Sequence, residues 1–268
     1  MSQPRISASS YSNTAPLIWS FLYGSQRGRF ELVLDNAPAR SAELLSQGRV
    51  DAALIPIIEY QRHSDLVLVP DVCVGAIDKV ESVCLITDGR DLSDVSSVAL
   101  DISSKTSVSL TKILFAEFIG SKPTYIDSKP DAEKMLAEAD CALLIGDPAL
   151  VVDETRFRKF DLASEWNDRT GLGFIFAMWT CPLNRRNQAV EIDFASARDE
   201  GVAHVEEIIA NYEDEIKLDR EHFRRYLTET ILYKPSEKML EGLGLYLDLA
   251  FKHGLPLRQK RISERIER

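Results

Sequence analysis

The stretch VALDISSKTSVSLTKILFAEF, residues 98–118, places a short apolar run, a cluster of hydroxyls and an amphipathic segment in immediate succession. Val98–Leu100 reads as a buried strand and Thr106–Phe118 as a helix, so Ser103, Ser104, Thr106 and Ser107 stand where the helix begins. The first N–H groups of a helix have no partner inside it, and a hydroxyl-lined helix start is therefore a ready anion site. A second turn of the same kind lies near the amino terminus. Arg5–Ala8 reads as a strand, followed by Ser9, Ser10, Ser12, Asn13 and Thr14 and then by the apolar run Leu17–Leu22 behind Pro16. Two such turns face to face would hold a small molecule carrying two carboxylates.

Working outward, strands and helices alternate. Phe30–Asp35 (strand), Pro38–Gln47 (helix) and Ala52–Ile55 (strand) follow the first turn, with Pro38 at a helix start and Gly48 at its stop. A short helix Pro56–Arg62 precedes strands at Leu66–Val69, Val72–Ile77 and Ser82–Thr87. The pattern restarts at Val98 and runs through Pro123–Ile126, Asp131–Ala137 and Cys141–Ile145. After an irregular stretch come a helix at Ser164–Thr170 and a long apolar strand, Phe174–Cys181. Helices Asn187–Tyr212, Asp219–Thr230 and Ser236–Lys252 complete the chain, and Arg258–Arg268 reads as a frayed, solvated helix end. This order predicts an α/β fold with mainly parallel sheets and two lobes. Lobe one takes residues 1–87 and 182–268 and lobe two residues 88–181, with crossovers near 85–92 and 172–182. That is a periplasmic-binding-protein-like type II architecture with an inter-lobe cleft and a helical carboxyl-terminal part. Ligands of open α/β sheets bind at the carboxyl ends of strands, where both hydroxyl-rich turns fall.

Bulk properties narrow the function classes. A net charge of −10 over 268 residues argues against nucleic acid, whose phosphates require a basic face. No apolar run of about 18 residues is present, and the first residues, MSQPRISASSYSNT, lack the apolar core of a secretory signal, so a cytoplasmic location is expected. Cys73, Cys84, Cys141 and Cys181 lie in or beside apolar strand-like runs and read as small buried hydrophobes. Neither they nor His63, His204, His222 and His253 show metal-ligand spacing, and no metal is expected. Tyr226, Tyr233, Tyr246 and Phe251 on the helical tail read as core, with a homodimer surface as the alternative.

Five motifs, in order, carry a resemblance: SYSNTAPL (10–17), ARSAELL (39–45), GRVDAALIPIIEY (48–60), VALDISSKTSVSL (98–110) and ALLIGDPAL (142–150). Together they resemble the chorismate dehydratases, from the amino terminus to about Trp179 and weakly in the tail. The resemblance implies a two-lobed type II binding-protein fold and a cofactor-free lyase of menaquinone biosynthesis by the futalosine route. Such an enzyme converts chorismate to 3-[(1-carboxyvinyl)oxy]benzoate by loss of water. It also implies catalytic or substrate-orienting roles for Asn13 and Ser82, and carboxylate binding by the hydroxyls of SSKTS (103–107). Lys105 stands where an arginine is common and Pro148 where an alanine is common.

The residues themselves leave alternatives open. Asn13 caps a helix as well as it orients a hydroxyl, and Ser82 in a strand is equally a satisfied core hydroxyl. One of Ser103, Ser104, Thr106 and Ser107 suffices as a cap, so the cluster favours binding; Ser10 joins it as a substrate-binding candidate. Arg40 reaches either a substrate carboxylate or Glu43, the second being the commoner outcome. Asp147 is a substrate-binding candidate, and Glu59 a general base or a brace for its own helix. With no His in either turn, the enolpyruvyl carboxylate of the substrate becomes the candidate proton acceptor. A solute-binding protein for a small dicarboxylate, or a sister enzyme of the same pathway, are the competing readings.

Overall fold

The structure is a computed structural model and describes residues 3–255. Among the described residues ten strands form two five-stranded sheets: β1 Arg5–Ser9, β2 Glu31–Asp35, β3 Ala52–Pro56, β4 Leu66–Ala76, β5 Val83–Thr87, β6 Ser97–Asp101, β7 Thr124–Ser128, β8 Cys141–Ile145, β9 Arg158–Asp161 and β10 Phe174–Pro182. Their orders are β2-β1-β3-β10-β4 and β7-β6-β8-β5-β9. The two sheets repeat one plan. Three parallel strands come from successive β-α-β units, and the fourth position is filled by an antiparallel strand arriving from the other half of the chain.

That fourth position corrects the expected boundaries. Val83–Thr87 belongs to the second sheet rather than the first, and Phe174–Pro182 to the first rather than the second. The connections between sheets are therefore residues 77–82 and 171–173. The physical reason is burial. All five residues of β5 are sealed from solvent, so it needs a neighbour on each side, and β8 and β9 supply them. The sheets are mixed, not mainly parallel, because both inserted strands run antiparallel to their neighbours.

Three further differences have local causes. Leu66–Val69 and Val72–Ile77 join into one strand, in which Asp71 takes a positive φ of 64° and the pairing with β10 slips. The stretch read as irregular contains β9, which covers the edge of β5. The segment 187–212 is three helices (Arg186–Val190, Phe194–Ala203, Val205–Tyr212), because Asp193 caps a new start by accepting from Ser196 N–H and the chain breaks again at His204. Arg258–Arg268 lies outside the described residues.

The larger apolar cluster runs through both halves, and a smaller one gathers Met135 and Leu144 with their neighbours in the second half. Trp166 of the second half, Phe174 at the crossing and Tyr246 of the helix Glu237–Lys252 meet edge to face, with centroids 4.9–6.4 Å apart. Each aromatic pair adds about 0.5–1.5 kcal/mol beyond the area it buries. Gly242 lets this last helix lie against the crossing strand, since a Cβ there would fall 2.0 Å from the Gly173 carbonyl oxygen. Tyr226, Tyr233 and Tyr246 are buried as expected, whereas Phe251 is 42% exposed. All four cysteines are buried, and burial pushes the Cys84 and Cys181 thiols up to about 12, which keeps them inert at neutral pH. Among the described residues no helix is long and apolar enough to cross a membrane, and no group of three or more His, Cys, Asp or Glu side chains is placed to hold a metal.

Candidate active site

The turn after β6 divides its hydroxyls among different tasks. Asp101 ends the strand fully buried, and one of its carboxyl oxygens accepts from the Ser103 N–H (2.9 Å) and hydroxyl (2.6 Å). Desolvation raises the Asp101 pKa, with the Ser103 bonds opposing it. Ser103 is thereby drawn to Asp101 and is absent from the cavity wall. Ser104 caps the helix Lys105–Ile113 by accepting from Ser107 N–H at 3.2 Å. Thr106 spans the cleft: its hydroxyl donates to the Phe176 carbonyl of β10 (3.1 Å) and accepts from Ile58 N–H (3.4 Å). Ser104, Thr106 and Ser107 all line the cavity, at the amino end of a nine-residue helix.

The turn after β1 faces it. Thr14 folds back, its hydroxyl donating to the carbonyls of Ser9 (2.7 Å) and Tyr11 (2.8 Å), and so shapes a 3-10 turn at Ser12–Thr14. Ser9, Tyr11, Asn13 and Thr14 line the cavity from this side. Ser10 does not: its hydroxyl donates to Asn36 Oδ1 at 3.0 Å on the outer face. Ser12 reaches the other half of the chain, its hydroxyl donating to Asp147 Oδ1 at 2.5 Å while its N–H lies 3.3 Å from both carboxylate oxygens. Burial raises the Asp147 pKa, the Ser12 contacts pulling the other way. Asp147 therefore joins the two halves beside the cavity instead of lining it.

Asn13 and Ser82 are brought together, with Asn13 Nδ2 donating to Ser82 Oγ at 3.5 Å. Ser82 is fully buried, one residue from Val83 in the cavity wall. Glu59 and Arg40 lie elsewhere. Glu59 faces Arg62 (3.2 Å) and His63 (3.9 Å) in a separate depression that also receives Lys105, and Arg40 pairs with Glu43 at 2.6 Å on the surface. Sequence reasoning missed Tyr11, whose ring packs on Gly146, and Phe176, which closes the cavity from β10. It also missed the proximity of Tyr226 to Ser82 and Asn13. Phe176 and Tyr226 arrive from distant elements and carry no local signal, whereas Tyr11 stands within the first hydroxyl-rich turn, between Ser10 and Ser12.

The cavity wall carries no Lys, Arg, Asp or Glu side chain among the described residues. Its polar groups are hydroxyls, one amide and a helix start, set in an apolar lining that includes Leu54, Val74 and Phe176. Its volume is about 60 Å³, well below the roughly 300–1,000 Å³ of typical small-molecule pockets. A ring-sized ligand enters only if the walls part. An anion held here would rest on neutral donors, whose strength rises in a water-poor enclosure.

Residues 4–252 match the protein family described as menaquinone biosynthesis. The chain is 34% identical over 219 residues to the chorismate dehydratase of Thermus thermophilus, covering 74% of this chain and 77% of that one. It is 27% identical over 211 residues to the chorismate dehydratase of Campylobacter jejuni, covering 78% and 79%. Among solved structures, protein AF1704 from Archaeoglobus fulgidus superposes with a TM-score of 0.72 at 16% identity, over 94% of this chain and 97% of that one. The periplasmic aliphatic sulphonate binding protein SsuA from Escherichia coli does so with a TM-score of 0.67 at 19% identity, over 100% and 93%. These likenesses identify the two-sheet architecture as the periplasmic-binding-protein fold. With the family matched over nearly its whole length, the chain belongs to the menaquinone biosynthesis family, as a relative of the chorismate dehydratases.

Proposed function

We propose that this protein is a chorismate dehydratase, converting chorismate to 3-[(1-carboxyvinyl)oxy]benzoate and water in the futalosine route to menaquinone. The observation that carries the reading is the charge-free cavity between two hydroxyl-rich turns, one at a helix amino end, in a chain of this family. Chorismate offers a ring carboxylate, an enolpyruvyl ether carboxylate and a ring hydroxyl that must depart. Removing the ring proton beside the ether oxygen delocalises its electron pair toward the ring carboxylate. Expulsion of the hydroxyl then completes the aromatic ring. Donors at the ring carboxylate therefore bind the transition state more tightly than the ground state, and Ser104, Thr106, Ser107 and their helix start are assigned that role. Asn13 and Ser82 are assigned to the departing hydroxyl.

The ring proton is assigned to the substrate's own enolpyruvyl carboxylate; the hydroxyl leaves as hydroxide, and the proton given back by the resulting acid completes the molecule of water. The absence of a carboxylate side chain from the described cavity wall supports this, since Glu59 lies in a separate depression and Asp147 is engaged by Ser12. Two lobes closing over the substrate would exclude bulk water and hold the reactive conformer. Incubation of the purified protein with chorismate, following the aromatic product by absorbance and mass, tests the reading. Product formation that collapses in Asn13→Ala and Ser82→Ala is expected. Tight binding of unchanged chorismate without product would instead support a solute-binding protein.

A further inference from the structure

The helical tail brings one polar group to this site that the mechanism above does not use. Tyr226 opens a π-helical turn, Tyr226–Thr230, at the end of the helix Arg220–Arg225. Such turns sacrifice regular hydrogen bonding and recur at functional sites. Tyr226 is fully buried, its hydroxyl has no hydrogen-bond partner of good geometry, and it faces Ser82 and Asn13. Leaving a buried hydroxyl unsatisfied costs about 1–3 kcal/mol. Phenylalanine would fill nearly the same volume without that cost, so the oxygen is the feature that needs a reason.

The surrounding contacts tie this turn to the backbone that presents Ser82. His222 Nε2 lies 2.6 Å from Glu81 Oε2, and the Thr230 hydroxyl donates to Glu81 Oε1 at 3.4 Å. Residues on either side of Tyr226 thus grip Glu81, the neighbour of Ser82, which is held at a positive φ of 61°. From the second half of the chain, Asp161 accepts from the N–H groups of Val80 and Glu81. Ser82 itself is weakly held, its hydroxyl 3.4 Å from the Val80 carbonyl and 3.5 Å from Asn13 Nδ2. A small rotation decides where its proton points.

Resting on the function proposed above, we propose that Tyr226 is a positioning residue, whose hydroxyl donates to Ser82 Oγ and turns the Ser82 proton from the Val80 carbonyl toward the departing substrate hydroxyl. Burial pushes the phenol pKa well above its ordinary range, which keeps the hydroxyl protonated at neutral pH.

Tyr226→Phe in the full chain tests this. Turnover of chorismate should fall about 10- to 100-fold in kcat, as for a displaced catalytic group, with KM within about twofold of the parent. Tyr233→Phe removes another buried, unpartnered hydroxyl nearby and should leave kcat unchanged. In a Ser82→Ala background, Tyr226→Phe should add no further loss, because its effect passes through Ser82. Parental kcat in Tyr226→Phe, or an undiminished loss in the Ser82→Ala background, would overturn the proposal. Crystal structures of parent and Tyr226→Phe read the contact without turnover. The Ser82 hydroxyl should change rotamer, and an unchanged Ser82 overturns the contact. A parent inactive toward chorismate, with Ser82 nonetheless shifted, would overturn the assigned reaction and leave the Tyr226–Ser82 contact standing.

Discussion

Gly146→Ala should weaken this protein more than any glycine's backbone preference alone explains. Gly146 sits at φ 64° and ψ −147°, close to a region that only glycine occupies comfortably. The backbone part of the cost is about 1–3 kcal/mol. A Cβ there would also stand 2.9 Å from Cδ1 and Cε1 of the Tyr11 ring, closer than side-chain carbons approach, and forcing such a contact adds about 1–3 kcal/mol. The expected loss is therefore about 2–6 kcal/mol. Gly48→Ala serves as the reference, because Gly48 has φ 66° with no atom within 4 Å of the added carbon, and its loss should be only about 1–2 kcal/mol. Urea unfolding gives both values, provided the denaturant slope stays constant. The Tyr11→Leu/Gly146→Ala pair should recover about 1–2 kcal/mol relative to the sum of the single losses. Equal losses in Gly146→Ala and Gly48→Ala, or strict additivity with Tyr11→Leu, would refute the claim that Tyr11 seals the cavity by packing on Gly146.

The close approach at Gly242 makes a second stability test: Gly242→Ala should cost about 3 kcal/mol or more, since the Gly173 backbone must retreat from the new carbon, and a midpoint shift under 1 kcal/mol would contradict it. Asp147 supplies a pH test. Burial raises its folded-state pKa, so the stability it contributes is fully present below the ordinary carboxylate range and is lost as pH rises through the raised value. Asp147→Asn should therefore gain stability relative to the parent as pH climbs from about 3.8 toward neutrality, measured as the difference between unfolding curves; a difference that is flat with pH would argue against a raised Asp147. Glu59→Gln should keep turnover of chorismate within about threefold, because Glu59 lies in a depression separate from the cavity; an inactive variant that still binds substrate would make Glu59 the base and displace the substrate carboxylate. Arg40→Ala should change KM by less than about twofold, as expected for an exposed pair with Glu43, and a tenfold rise would place Arg40 on the substrate.

The two turns were legible because helix starts and strand ends are local. Ser104 caps its helix from its own hydroxyl and the N–H three residues on, and Thr14 bonds to carbonyls three and five residues back. The same local reading could not separate Ser103 from Ser104. Both stand before the helix, yet Ser103 turns to the buried Asp101 while Ser104 faces the cavity. Arg40 at the start of a helix and Glu59 after an apolar strand-like run are candidates by their charge and by their place at an element's end. In the fold Arg40 pairs with Glu43, and Glu59 faces Arg62 and His63 in a depression separate from the cavity.

The sequence by itself determined the alternation of strand and helix, the two hydroxyl-rich turns at strand ends and the buried state of the four cysteines. Each follows from hydrophobic period, capping chemistry and composition within a window of some twenty residues. Only the tertiary structure decided which sheet receives β5 and β10, that Ser12 and Asp147 meet across 135 residues, and that Tyr226 of the tail arrives beside Asn13 and Ser82. Those outcomes depend on which buried strand finds two neighbours and which polar groups find partners once water is excluded. Such requirements are met by the folded chain as a whole and leave no periodic mark on the residues that satisfy them.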